Sequence, residues 1–155
     1  MKTVKLTIDG KEIETQKGTK ILEAALEAGI YIPHLCYIPG YGLQSHAGCR
    51  ICLVQVEGGR KGRGFVTSCT EPVAEGMVVY TNTPEVIETR REVLEMIMSE
   101  HPDRCFTCTR DKRCFLFNVC QRDTVVTDRC LICAKNGRCE LQKVVEHIGI
   151  KELTL

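Results

Sequence analysis

Eleven cysteines occur in this 155-residue chain at spacings that leave little freedom in how it folds. Cys36, Cys49, Cys52 and Cys69 form one set: a single cysteine, a CxxC pair and a distant fourth. The other seven, Cys105, Cys108, Cys114, Cys120, Cys130, Cys133 and Cys139, follow His101 closely. With that histidine the chain holds twelve potential ligands, three complete sets of four.

The rest of the composition sharpens the constraint. Aromatics are 5% of the chain and Trp is absent, so a rich aromatic core is not available. Disulfides or metal must help hold the cysteine-rich half together. An odd cysteine count and an N-terminus, MKTVKLTID, that alternates polar and apolar residues argue against a secreted disulfide scaffold. Metal binding in the reducing cytoplasm is the expectation. No run approaches the roughly 18 to 20 apolar residues of a membrane span, so no direct membrane insertion is expected. A net charge of +1 gives no footprint for nucleic acid. Within 101–143, however, nine Lys and Arg face five Asp and Glu, an excess that suits either a solvated surface or the negative charge of thiolate-bound clusters.

Val4, Leu6 and Ile8 alternate with polar residues up to Asp9-Gly10, and Ile13 resumes the pattern in Glu12 to Thr15, which predicts a hairpin with a type I′ turn. From Thr19 as N-cap, Ile21, Leu22, Ala25 and Leu26 form a helical stripe that Gly29 ends. Pro33, Pro39, Gly40, Gly42 and Gly48 place Cys36 and Cys49 in a loop. Cys52 to Glu57, Phe65 to Cys69 and Met77 to Thr81 are strand-like. The stretch GGRKGRG, Gly58 to Gly64, has neither phosphate-loop order and is expected to be a basic hairpin turn. Thr83 caps a helix with Pro84 at its first position and Val86, Ile87, Val93, Leu94, Ile97 and Met98 as its buried face. Leu141, Val144, Val145 and Ile148 mark a short terminal helix.

The first cysteine set is a looser version of the plant-type ferredoxin arrangement, in which a glycine-rich loop wraps a 2Fe-2S cluster. Glycines suit that task because backbone N–H groups must approach the bridging sulfides closely. Structural zinc sites usually pair CxxC with another close pair, whereas Cys36 and Cys69 stand alone. His34 and His46 lie nearby but are read as loop or supporting residues, because four cysteines already complete the set.

The runs LCYIPGYGLQSHAGCRICLVQVEG, SCTEPVAEGMVVYT and VIETRREVLEMIMSEHPDRC carry a resemblance over almost the whole chain. It is similar to the N-terminal iron-sulfur region shared by the large peripheral-arm subunit of complex I, NAD-linked iron hydrogenases and cytosolic formate dehydrogenases. The resemblance implies an α+β fold: a β-grasp 2Fe-2S ferredoxin domain at 1–82, then a bridging helix and a small, mostly irregular or helical 4Fe-4S domain at 83–155. It also implies a 4Fe-4S site with one histidine and three cysteines, supplied here by His101, Cys105, Cys108 and Cys114.

The chain then departs from that pattern. In relatives the third cysteine is followed closely by ELQ; here Cys114 is followed by FLF, and ELQ comes only at Glu140 to Gln142. The motif looks duplicated, since Cys105, Cys108, Cys114 and Cys130, Cys133, Cys139 share one internal spacing. His101 and Cys120 complete two sets of four and imply a second 4Fe-4S cluster. Their assignment between the triplets stays open, because two-cluster ferredoxins exchange fourth ligands. The rival is a zinc-stabilised interaction or nucleic-acid-binding module built on Cys105, Cys108, Cys130 and Cys133, which would leave Cys114, Cys120 and Cys139 without a role.

The sequence therefore predicts an iron-sulfur electron-transfer subunit with one 2Fe-2S and two 4Fe-4S clusters. It would pass electrons between a flavin/NAD(H)- or ferredoxin-linked partner and a catalytic oxidoreductase subunit. The chain contains no dinucleotide fingerprint and no flavin or pterin domain, so it is expected to be non-catalytic and to work within a multi-subunit complex containing a catalytic and a flavin/iron-sulfur subunit.

Overall fold

The computed structural model describes residues 2–38, 44–59, 62–100 and 138–150. The chain divides into two compact units, Met1–Val93 and Leu94–Leu155. His101, Cys105, Cys108, Cys114, Cys120, Cys130 and Cys133 lie outside the described residues, as does the zinc-module spacing built on four of them.

The first unit is built on a five-stranded sheet in the order β2-β1-β5-β3-β4. Strands β1 (Thr3–Ile8) and β2 (Lys11–Gln16) form the antiparallel hairpin that the alternation predicts. Asp9 and Gly10 have φ of 48° and 82°, the left-handed pair that a type I′ turn requires. Strands β3 (Leu53–Glu57) and β4 (Gly64–Thr67) form the second hairpin, so GGRKGRG does connect two strands. Strand β5 (Met77–Tyr80) runs parallel to β1 and antiparallel to β3, closing a mixed sheet. Asp9 ties that central junction: its carboxylate accepts the Thr81 backbone N–H at 2.8 Å and the Thr81 hydroxyl at 2.5 Å.

Helix α1 (Ile21–Glu27) buries Ile21, Leu22, Ala24 and Ala25 in a core with Leu6, Ile8, Val54, Val56, Met77 and Val79. A fully buried Leu or Ile contributes roughly 1.5 to 3 kcal/mol, which anchors this two-turn helix where propensity alone would not. Its N-cap is Lys20, not Thr19, whose carbonyl accepts the Val73 N–H at 2.9 Å instead. The Glu23 carboxylate closes the cap by accepting the Lys20 N–H at 3.1 Å. Gly29, at φ 77°, ends the helix as expected.

Helix α2 (Pro84–Ser99) starts where Thr83 accepts the Val86 N–H at 3.3 Å. Its buried residues include Val86, Arg90, Leu94 and Met98, a clean i, i+4 stripe. The expected face is corrected here: Ile87 is 47% exposed, and Val93 and Ile97 are only half-buried. A single stripe at this period turns the next residue about 100° away, and Arg90 occupies the core position instead. In the second unit, α3 (Glu140–Ile148) buries Val144 and Val145 and ends at Gly149, φ 77°.

Candidate metal centre

The first four predicted cysteines lie on the loops and turns flanking α1, β3 and β4, and the backbones around Cys52 and Cys69 are fastened to each other and to the start of α1. Cys52 immediately precedes β3, and Cys69 sits in the turn after β4. The Ser68 N–H and hydroxyl both donate to the Cys52 carbonyl, at 3.1 and 2.8 Å. The turn itself is closed by the Thr70 and Glu71 N–H groups on the Thr67 carbonyl, both at 3.1 Å. Two otherwise unpaired donors at the start of α1 complete the lock: Ile21 N–H reaches Glu71 O and Leu22 N–H reaches Ser68 O, both at 3.0 Å. The helix start thus holds the Cys69 turn in place.

Cys36 and Cys49 lie on the loop between α1 and β3. Next to Cys36, the Tyr37 hydroxyl donates to Glu23 at 3.0 Å, so the carboxylate that caps α1 also fixes this loop. Ala47 and Arg50 bracket Cys49 with φ of 55° and 56°, a conformation that costs a residue with a Cβ about 1 to 2 kcal/mol. Such strain persists only where the surroundings impose it. It turns backbone N–H groups inward: Gly48 and Cys49 toward the Cys36 sulfur, and Ala47 toward Cys69. A Cβ at Gly48 would lie 2.8 Å from His46 Nε2, so a larger residue there would push the exposed imidazole aside.

The four thiols form two interacting pairs, Cys36 with Cys49 and Cys52 with Cys69. Cys52 and Cys69 are each 1% exposed, while Cys36 and Cys49 are half-buried. In the inner pair the Cys52 thiol donates to Cys69, which lowers Cys69 to about 6 with help from the Ser45 hydroxyl and the Ala47 N–H. The same hydrogen bond, together with burial, raises Cys52. Burial raises Cys36 as well, against the pull of the neighbouring N–H groups. Among the described residues, no three of His, Cys, Asp and Glu converge on the position of one ion.

Paired sulfurs suit a two-iron core: Cys36 with Cys49 and Cys52 with Cys69 would hold it, and the loop N–H groups would stabilise the negative charge on sulfur. Ser45 supports that fit. Its Oγ is buried against Cys69 without a hydrogen bond of full geometry among the described residues, a donor aimed where sulfur would gather. His34 points elsewhere: Nδ1 lies 2.7 Å from the Ile32 carbonyl, which can only accept, and its ring packs beside Tyr31 and Tyr37. Sequence reasoning missed Ser45 and Arg90. A small polar residue in a loop and a charged residue within a helix are ordinary until tertiary structure buries them. Cys139 is the one predicted second-region ligand among the described residues; it is half-buried at the N-cap of α3.

Paired thiols on strained, donor-rich loops of an α+β ferredoxin-like fold point to the class of iron-sulfur proteins. Residues 1–84 match the family described as 2Fe-2S iron-sulfur cluster binding domain, and the chain belongs to that family. Residues 90–125 and 127–153 match the NADH-ubiquinone oxidoreductase-G iron-sulfur binding region. The chain is 40% identical over 125 residues to the NADP-reducing hydrogenase subunit HndD of Solidesulfovibrio fructosivorans, covering 79% of this chain and 21% of that protein. It is 41% identical over 113 residues to the G subunit of the NADH-quinone oxidoreductase of Rickettsia prowazekii (strain Madrid E), covering 73% of this chain and 16% of that protein. A solved NAD+-reducing NiFe-hydrogenase in the H2-reduced state matches with a TM-score of 0.72 at 29% identity, over 98% of this chain and 51% of that one. The chain thus spans about a fifth or less of the curated relatives' length. None of these relationships supports the zinc-module alternative.

Proposed function

We propose that this chain is the electron-relay segment of a multi-subunit oxidoreductase. In this reading Cys36, Cys49, Cys52 and Cys69 hold one 2Fe-2S cluster in a domain at 1–82. His101, Cys105, Cys108, Cys114, Cys120, Cys130, Cys133 and Cys139 hold two 4Fe-4S clusters in a domain at 83–155, with the placement of His101 and Cys120 between the triplets open. When bound, such clusters supply one-electron transfer without bond making in the protein. The chain's own groups hold, insulate and tune: buried thiols exclude water on the inner side, and loop N–H groups and Ser45 donate toward sulfur.

The observation that carries this reading is the arrangement of the first four cysteines as two interacting pairs, the inner one held by Ser68 and the start of α1, with Ser45 and the Ala47 N–H of the Cys49 loop reaching Cys69. Electrons would pass between a flavin/NAD(H)- or ferredoxin-linked partner and a catalytic subunit, as the names of the hydrogenase and NADH-quinone oxidoreductase relatives suggest. The compartment proposed is the cytoplasm. Among the described residues no helix is long and apolar enough to cross a membrane. The test is metal analysis of anaerobically purified full-length chain. About ten iron atoms per chain are expected, the sum of one 2Fe-2S and two 4Fe-4S clusters. About six iron atoms would remove one 4Fe-4S cluster, and zinc with little iron would overturn the reading.

A further inference from the structure

Arg90 is a charged side chain in the core of the first unit, 2% exposed on the buried stripe of α2. Its Nε and Nη2 both donate to the Leu53 carbonyl, at 3.0 and 2.5 Å. Leu53 directly follows Cys52, whose own carbonyl is held by Ser68. Two successive carbonyls at the exit of the CxxC motif are therefore clamped, one by the Cys69 turn and one by a buried guanidinium. Burying a cation costs several kcal/mol unless charge and hydrogen bonds compensate. The hydrogen bonds here go to a neutral carbonyl, and the acidic groups whose charge acts on Arg90 are Cys52, when it is a thiolate, and Asp9. Burial lowers Arg90 only to about 10, so it stays cationic at neutral pH.

We propose that Arg90 is a positioning residue for the 2Fe-2S centre, fixing the Cys52 strand through Leu53 and raising the cluster's reduction potential as a buried compensating charge. This inference rests on the 2Fe-2S reading above. A 2Fe-2S core with four thiolates is formally dianionic when oxidised, and reduction adds one electron and one further negative charge. A fixed cation in a low-dielectric surrounding stabilises the reduced form more than the oxidised one. Asp9 opposes it. Its carboxylate, held on Thr81, offsets part of the Arg90 charge.

The test is a redox titration of the reconstituted full-length chain, read by the paramagnetic signal of the reduced 2Fe-2S centre. Arg90→Gln is expected to shift the oxidised-to-reduced ratio at fixed potential about tenfold toward oxidised, a midpoint about 59 mV lower for a one-electron couple. Arg90→Lys keeps the charge and loses the fork on Leu53, so it should recover more than half of that shift while lowering thermal stability. Asp9→Asn, in which the amide oxygen still accepts the Thr81 N–H and the NH2 can donate to the Thr81 hydroxyl, should shift the ratio the other way. A cluster-loaded Arg90→Gln chain within twofold of the wild-type ratio overturns the inference. An Arg90→Lys shift equal to that of Arg90→Gln overturns the charge argument. Should Arg90→Gln fail to retain the cluster, Asp9→Asn decides: a raised midpoint supports the compensation and an unmoved one overturns it. A wild-type chain that takes up no 2Fe-2S centre overturns the underlying reading and this inference with it, whereas a normal centre insensitive to both substitutions overturns this inference alone.

Discussion

At the scale of single residues, the inner thiol pair links protonation to folding. In the iron-free protein Cys52 keeps a proton that it shares with Cys69, and Cys69 is lowered from 9.0 to about 6. Between about pH 6 and the ordinary thiol value of 9.0, the folded pair binds one proton and the unfolded pair binds two. Stability therefore rises with pH across that window, by at most about 1.4 kcal/mol per pH unit for the one proton. Above it the sign reverses, because the raised Cys52 retains a proton that the unfolded chain releases. Urea midpoints of iron-free protein should show a maximum near the top of the window. Replacing Cys52 with Ala should flatten the slope, and an unchanged profile would mean that the pair does not share its proton.

At the scale of elements, one carboxylate serves two segments. Glu23 accepts both the Lys20 N–H that starts α1 and the Tyr37 hydroxyl beside Cys36. Glu23→Ala should cost roughly 2 kcal/mol in urea unfolding, since hydrogen bonds to a charged group are among the stronger ones. Glu23→Gln keeps an acceptor and should cost less than half as much. Equal losses would mean that the charge rather than the acceptor matters. The phase of α2 gives a sharper contrast. Ile87 is exposed, so Ile87→Lys should move stability by no more than about 0.5 kcal/mol. Leu94, fully buried on the stripe, should cost about 2 to 5 kcal/mol when cut to Ala. Hydropathy alone would have ranked the two alike.

At the scale of the whole molecule, the chain divides into two compact units, and the four cysteines of the first all lie within Met1–Val93. Cys49→Ser should therefore remove the 2Fe-2S signal in electron paramagnetic resonance while the 4Fe-4S signals persist. Simultaneous loss of every signal would show that the units load their clusters together. Thermal melts of the same variant separate the cases further, because metal binding free energy is folding free energy where the site forms only on folding.

Much of this architecture was legible in the sequence because it rests on local chemistry. Alternation at Val4, Leu6 and Ile8, with Asp9-Gly10 after them, dictates a hairpin, and the left-handed turn follows from those two residues alone. The cysteine spacing likewise marks Cys36, Cys49, Cys52 and Cys69 as one candidate set, since few other uses of four such thiols satisfy the same pattern. The division of those thiols into two pairs depends on contacts between residues far apart in the chain, Cys52 with Cys69 and Ser68 with Cys52. Burial is non-local in the same way. Arg90 looks like any solvated helical arginine until β3 places the Leu53 carbonyl against it, and Ile87 looks like core until the helix phase is set. Sequence determines what each segment prefers; the packing of distant segments decides which polar group is taken from water and what it then acts upon.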